Sequence, residues 1–157
     1  MTSTASEPTV QTLEITRDEE IAAPIGVVFE TILEELGTHN QTSDGVSLSM
    51  KIEPWPGGRW YRDLGNNAGH FWGHVQAIKP PTLLEICGPL MMSYPVVSNV
   101  QYRLTEERGI TRLKFAHRMI GQISPEHQAG MNKGWDTLLT RIRSAAERRG
   151  ADPKEKR

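Results

Sequence analysis

Apolar positions recur along this chain in two rhythms, a period of two and a period near 3.6, and the changes between them mark out its elements. Leu13, Ile15 and Ile21 share one parity and predict a first strand over Leu13 to Ala22, although Arg17 and Glu19 fall on the same parity. A bulge or a partly wet edge would reconcile them. Pro24 suits a first helical turn, and Ile25, Phe29, Ile32, Leu33 and Leu36 follow at helical spacing until Gly37, which predicts a helix of about three turns. The polar stretch Thr38 to Val46 reads as a loop or a broken helical turn.

From Leu48 the texture changes to short segments punctuated by proline and glycine, as in an antiparallel meander. The candidate strands are Leu48 to Glu53, Arg59 to Leu64, His70 to Lys79, Leu83 to Cys87, Val97 to Glu106 and Thr111 to Ile120. Val100, Tyr102 and Leu104 alternate strictly, as do Leu113 and Phe115, and His117 continues that inward parity.

The last element is the clearest. Ser124 suits an N-cap, Pro125 a first helical position and Glu126 a first-turn acid, and no proline follows before Arg149. Such a helix is on the order of 36 Å long. Met131, Trp135, Leu138, Leu139, Ile142 and Ala146 form its apolar stripe. Gly130 and Gly134 sit beside that stripe and each lowers helix propensity by roughly 1 kcal/mol, so the sheet or a ligand is expected to approach the backbone there.

At 157 residues the chain has the length of one domain, with residues 1–12 and 150–157 expected as flexible tails around a domain over 13–149. Lys plus Arg number 18 against 19 Asp plus Glu, so no excess positive field recruits nucleic acid or acidic lipid. Lone Cys87 has no internal disulfide partner, and no apolar run reaches the roughly 20 residues of a membrane span, which predicts a cytoplasmic protein with no membrane partner. Asn40-Gln41-Thr42 matches a glycosylation acceptor but lacks the export signal that would give it meaning.

Strand, helix, six strands and a long helix form an α+β arrangement: a curved antiparallel sheet of about six to seven strands wrapped around a long C-terminal helix. A bent sheet and a straight helix cannot touch everywhere, so a cavity is expected between them. Three sets of residues carry a resemblance: Glu53-Pro54-Trp55-Pro56-Gly57-Gly58-Arg59-Trp60, then Gly73-His74-Val75 leading to Pro80-Pro81 and Leu84, then Gly134-Trp135. They look like the START-like, or SRPBCC, superfamily, in the branch named after the activator of the ninety-kilodalton heat-shock protein ATPase. The resemblance covers residues 11 to 148 and rests on turn and packing signals. It implies a helix-grip fold whose interior binds hydrophobic or amphipathic molecules in many relatives, cyclases and hydrolases in others, and a chaperone-related interaction module linked to stress response as a third reading.

Candidate chemistry follows from the inward register. Trp60, Met91, Tyr94, Met131, Trp135 and Leu138 are expected to line the cavity, with Met92 beside them, because methionine adapts to irregular shapes. The segment Gly88 to Pro95 carries too much apolar surface for an ordinary loop and is expected to cap the cavity or meet a partner chain. Tyr102, Phe115 and His117 are expected on the same inner face, with Tyr102 and His117 orienting a ligand or, in an enzyme, His117 acting as acid or base. Each also has a plainer reading, as core tyrosine or locally bonded histidine. His70 and His74 lie about 13 Å apart along a strand, too far to share a metal ion, and are expected to face outward while Val75 and Ala77 face in. No nucleophile elbow, phosphate loop or dinucleotide fingerprint is present, so no cofactor and no metal are expected. These features together predict a non-catalytic domain that binds a small hydrophobic molecule, with a homodimer as an open alternative.

Overall fold

The computed structural model describes residues 9–152. In order, the elements are β1 (Gln11–Ile21), α1 (Ile25–Leu36), β2 (Met50–Ile52), β3 (Arg59–Gly65), β4 (Ala68–Lys79), β5 (Leu83–Gly88), β6 (Val96–Glu107), β7 (Ile110–Gly121) and α2 (Pro125–Ala151). The strands form one seven-stranded curved sheet in the order β1-β7-β6-β5-β4-β3-β2, all neighbours antiparallel. This is the expected α+β architecture. The tails expected over 1–12 and 150–157 lie partly outside the described residues; within them, β1 starts at Gln11 and α2 runs to Ala151.

Arg17 and Glu19 need no bulge. β1 pairs with β7 in unbroken register, and because β1 is an edge strand its inward polar side chains reach α2. Arg17 Nε donates to Asp136 Oδ1 at 2.7 Å, and Arg143 lies 3.3 Å from Glu19. Ile15 and Ile21 on the same face close the core. α1 buries Val28, Phe29, Ile32 and Leu36 against that core, each side chain contributing roughly 1.5 to 3 kcal/mol. Ser124 is the N-cap of α2 but makes no side-chain capping bond, so Pro125 and Glu126 carry the start of that helix.

In β4 the outward and inward assignments change partway along. Trp60 pairs with Gly73 and Tyr61 with Phe71, leaving Trp72 as the extra residue of a β-bulge. The bulge places Trp72 and then Val75 on the same buried side, so one parity does not run through the strand and the expectation that both histidines face outward fails for one of them. His74 does face outward, against Phe71 at 4.7 Å between rings, whereas His70 turns inward beside Trp72. Ala77, beyond a second register shift, is only half-buried. Gly73 permits the bulge because a Cβ there would sit 2.7 Å from the Cys87 carbonyl oxygen.

The glycines of α2 separate its two halves. A Cβ on Gly150 would lie 2.9 Å from Ala23 Cβ, so the C-terminal half closes tightly onto the chain entering α1. A Cβ on Gly130 or Gly134 would meet nothing within 4 Å. The sheet does not approach those two residues, although Trp135 and Asp136 in the same half of α2 do reach β7 and β1.

Candidate functional site

The space under that half of α2 is a cleft of about 740 Å³. Its floor is Trp60 and Trp72, its helical wall runs from His127 through Gly130, Met131, Gly134, Trp135 and Leu138 to Arg141, and the β5–β6 loop closes it with Met91, Met92, Ser93 and Tyr94. The α1–β2 loop, through Asn40 to Ser43, forms its far end. The apolar segment between Gly88 and Pro95 therefore borders the cavity, with Met92 buried and Met91 45% exposed.

Three tryptophans line the cleft, and each indole N–H is bonded inside the protein. Trp60 Nε1 donates to the Leu36 carbonyl at 2.8 Å, Trp72 Nε1 to His70 Nδ1 at 3.2 Å and Trp135 Nε1 to His117 Nδ1 at 2.9 Å. With those donors satisfied, the rings offer the cleft apolar surface alone. Trp60 and Trp72 meet edge to face at 5.0 Å, and Tyr94 stacks on His127 at 4.8 Å.

Of the residues expected at the cavity, Trp60, Met91, Tyr94, Met131, Trp135 and Leu138 line it. Tyr102, Phe115 and His117 do not. They share the inward register but lie deeper, where Phe115 packs between Tyr102 and Trp135 at 5.2 and 4.7 Å. Tyr102 is fully buried, its hydroxyl has no partner, and burial pushes its ionisation up. His117 is 1% exposed with both nitrogens engaged, Nδ1 accepting from Trp135 and Nε2 lying 2.9 Å from Ser98 Oγ. An acceptor Nδ1 requires a proton on Nε2, so the neutral ring donates to Ser98. His117 is thus the support of a cleft wall, and the acid–base alternative loses the open position on which it rested.

Burial holds His117 neutral, pushing it down from 6.5 to about 4. The unfolded chain therefore takes up the proton first. Stability is complete above about pH 6.5 and falls by about 1.4 kcal/mol per pH unit as the solution is acidified towards pH 4, reaching a loss of about 3 kcal/mol. Glu35, raised by burial, contributes with the opposite sign on acidification, and Glu53, held at about 2 chiefly by its hydrogen bond from Arg59, loses its contribution lower on the scale. Urea denaturation between pH 7 and 4 checks the slope, with His117→Gln as the comparison that flattens it.

Several cleft residues carry no signal in the linear pattern. Asn40, 8% exposed, lines the cleft and makes one long bond, Nδ2 to the Leu36 carbonyl at 3.4 Å. Arg141 donates to the carbonyls of Gln41 and Thr42 at 3.1 and 3.5 Å and ties that loop to α2. His127 was legible in principle, being one turn before Gly130 and Met131 on the same helical face. Among the described residues no cluster of three or more metal-ligating side chains is present, and no helix is long and apolar enough to cross a membrane.

A family model described as Activator of Hsp90 ATPase homolog 1-like protein matches residues 22–147. Among curated proteins none matches significantly. Solved structures do. A protein from Rhizobium leguminosarum superposes with a TM-score of 0.71 at 16% identity, over 91% of this chain and 99% of the other. A protein from Nitrosomonas europaea gives 0.63 at 19% identity, over 89% and 97%. CalU16 from Micromonospora echinospora gives 0.58 at 21% identity, over 98% and 90%. At these identities the likeness shows a common fold.

Proposed function

Because the chain belongs to the family of Activator of Hsp90 ATPase homolog 1-like proteins, we propose that it binds a small hydrophobic or amphipathic molecule in the cleft under α2, holding rather than transforming it. Gly130 and Gly134 carry this reading. Glycine inside a helix is unfavourable by roughly 1 kcal/mol relative to alanine, and close packing is the usual reason to keep it. Here both glycines are exposed where they line the cleft, and a Cβ on either would meet open space. Two costly residues facing a void make sense if the void is used.

The surroundings suit such a ligand. A site of about 740 Å³ falls in the range of small-molecule pockets, and its indole floor and methionine-bearing loop adapt to an apolar guest. Lone Cys87 is compatible with a reducing, cytoplasmic place of action. Native mass spectrometry of gently purified protein, followed by titration with the neutral dye N-phenyl-1-naphthylamine, tests the reading. The expected result is a co-purifying small molecule or saturable uptake of one dye per chain; folded protein that takes up neither overturns it.

A further inference from the structure

Resting on that reading, we propose that the ligand is an amphipathic anion, its apolar part on Trp60, Trp72 and Trp135 and its charged head at a cationic lip made by Lys133 and Arg141. Both residues line the cleft with Thr137 between them. A spacing of four places the three on one ridge of α2, and the two cations are separated by about 12 Å along the axis. None of the described lining residues is acidic.

Several cations elsewhere are neutralised locally, as Arg17 by Asp136, Arg59 by Glu53 and Arg118 by Glu14, while others such as Lys79 and Lys114 have no ion pair among the described residues but lie away from the cleft. The two at the cleft are not neutralised. Lys133 has no ion-pair partner among the described residues, and Arg141 gives its N–H groups to neutral carbonyls, which positions the guanidinium without cancelling its charge. The nearest acids are committed or turned away. Asp136 is held by Arg17, Glu34 lies 3.2 Å from Arg149, and Glu35, which feels the charge of Arg141, is buried and does not line the cleft. Asp44 follows Ser43 in the loop but is exposed and does not line the cleft. Asn40 adds a second, independent observation: it is a polar residue 8% exposed, lining the cleft beside the loop that Arg141 holds, and its side chain makes only the long bond to the Leu36 carbonyl. An anionic head would meet two positive charges and an amide donor; a neutral guest would leave all three unanswered.

Two dyes that share one ring framework separate charge from shape: 1-anilinonaphthalene-8-sulfonate carries a sulfonate, and N-phenyl-1-naphthylamine lacks it. Titrated into the full chain, the sulfonate is expected to bind about ten-fold tighter, and raising the salt should weaken it alone. Lys133→Glu, at an exposed position, should lower sulfonate affinity by about five-fold and shift the neutral dye by less than about two-fold. Should Lys133→Glu fail to fold, Lys133→Gln serves, with a loss of about two- to three-fold for the sulfonate alone. Equal affinities for both dyes, unaltered by these variants, would overturn the anionic head while leaving the cleft standing. If neither dye binds, the cleft reading and this inference fall together.

Discussion

Replacing His117 with alanine is expected to lower the unfolding free energy by about 3 to 5 kcal/mol, among the largest effects any single substitution has on this protein. Three losses combine. The ring is 1% exposed, so removing it leaves a hole in close-packed surroundings. The indole N–H of Trp135 and the hydroxyl of Ser98, both buried, lose their partner, and each unsatisfied group costs roughly 1 to 3 kcal/mol. The three do not add fully, since Trp135 can relax into the vacated space. Urea denaturation followed by circular dichroism reads the change. A loss below about 1 kcal/mol would mean that the Ser98–His117–Trp135 chain does not hold the wall of the cleft.

Placing leucine at Gly134 is expected to do the reverse: to spare the fold and weaken the proposed binding. The new side chain enters open space, so no clash opposes the helix propensity gained, and stability should hold or rise by up to about 1 kcal/mol. The same atoms occupy volume that a ligand would use. Neutral-dye binding should weaken by about 30- to 150-fold, the scale set by losing 2 to 3 kcal/mol of apolar contact. Alanine at Gly150 is the control for the opposite case. Its Cβ would crowd Ala23, so stability should fall while the distant cleft keeps its dye. If Gly134→Leu destabilised the protein and left dye binding intact, the glycine would be a packing residue and the cleft would have another occupant.

The architecture was legible because its signals are local and repeated. Leu113, Phe115 and His117 announce an inward face by simple alternation, and β7 carries that alternation without interruption. The burial of Arg17 and Glu19 was ambiguous for a physical reason: an edge strand can turn polar groups inward if a helix supplies partners, and Asp136 and Arg143 are more than a hundred residues away in sequence. The outward expectation failed for His70 because one extra residue in a strand exchanges its faces, although glycine at position 73, in mid-strand, is the mark such a bulge leaves.

The site was legible by half. Inward parity correctly placed Tyr102, Phe115 and His117 inside, but parity says nothing about depth, and the cleft opens above the other end of the sheet, over Trp60 and Trp72. Gly130 and Gly134 were recognised as unusual, and either a close neighbour or a ligand would have explained them. The emptiness around a Cβ at either position removes the close neighbour as the explanation. Asn40 and Arg141 come together through a loop contact across about a hundred residues, which no local pattern encodes.

The indole N–H resonances of the chain's four tryptophans give the most direct measurement. Trp60, Trp72 and Trp135 border the cleft, whereas Trp55 is 54% exposed and does not line it, a reporter within the same molecule. On titrating N-phenyl-1-naphthylamine into nitrogen-labelled protein, the three cleft indoles are expected to shift together and saturate at one dye per chain, with Trp55 unmoved. Saturating dye that leaves all three in place, or that moves Trp55 alone, would contradict the account.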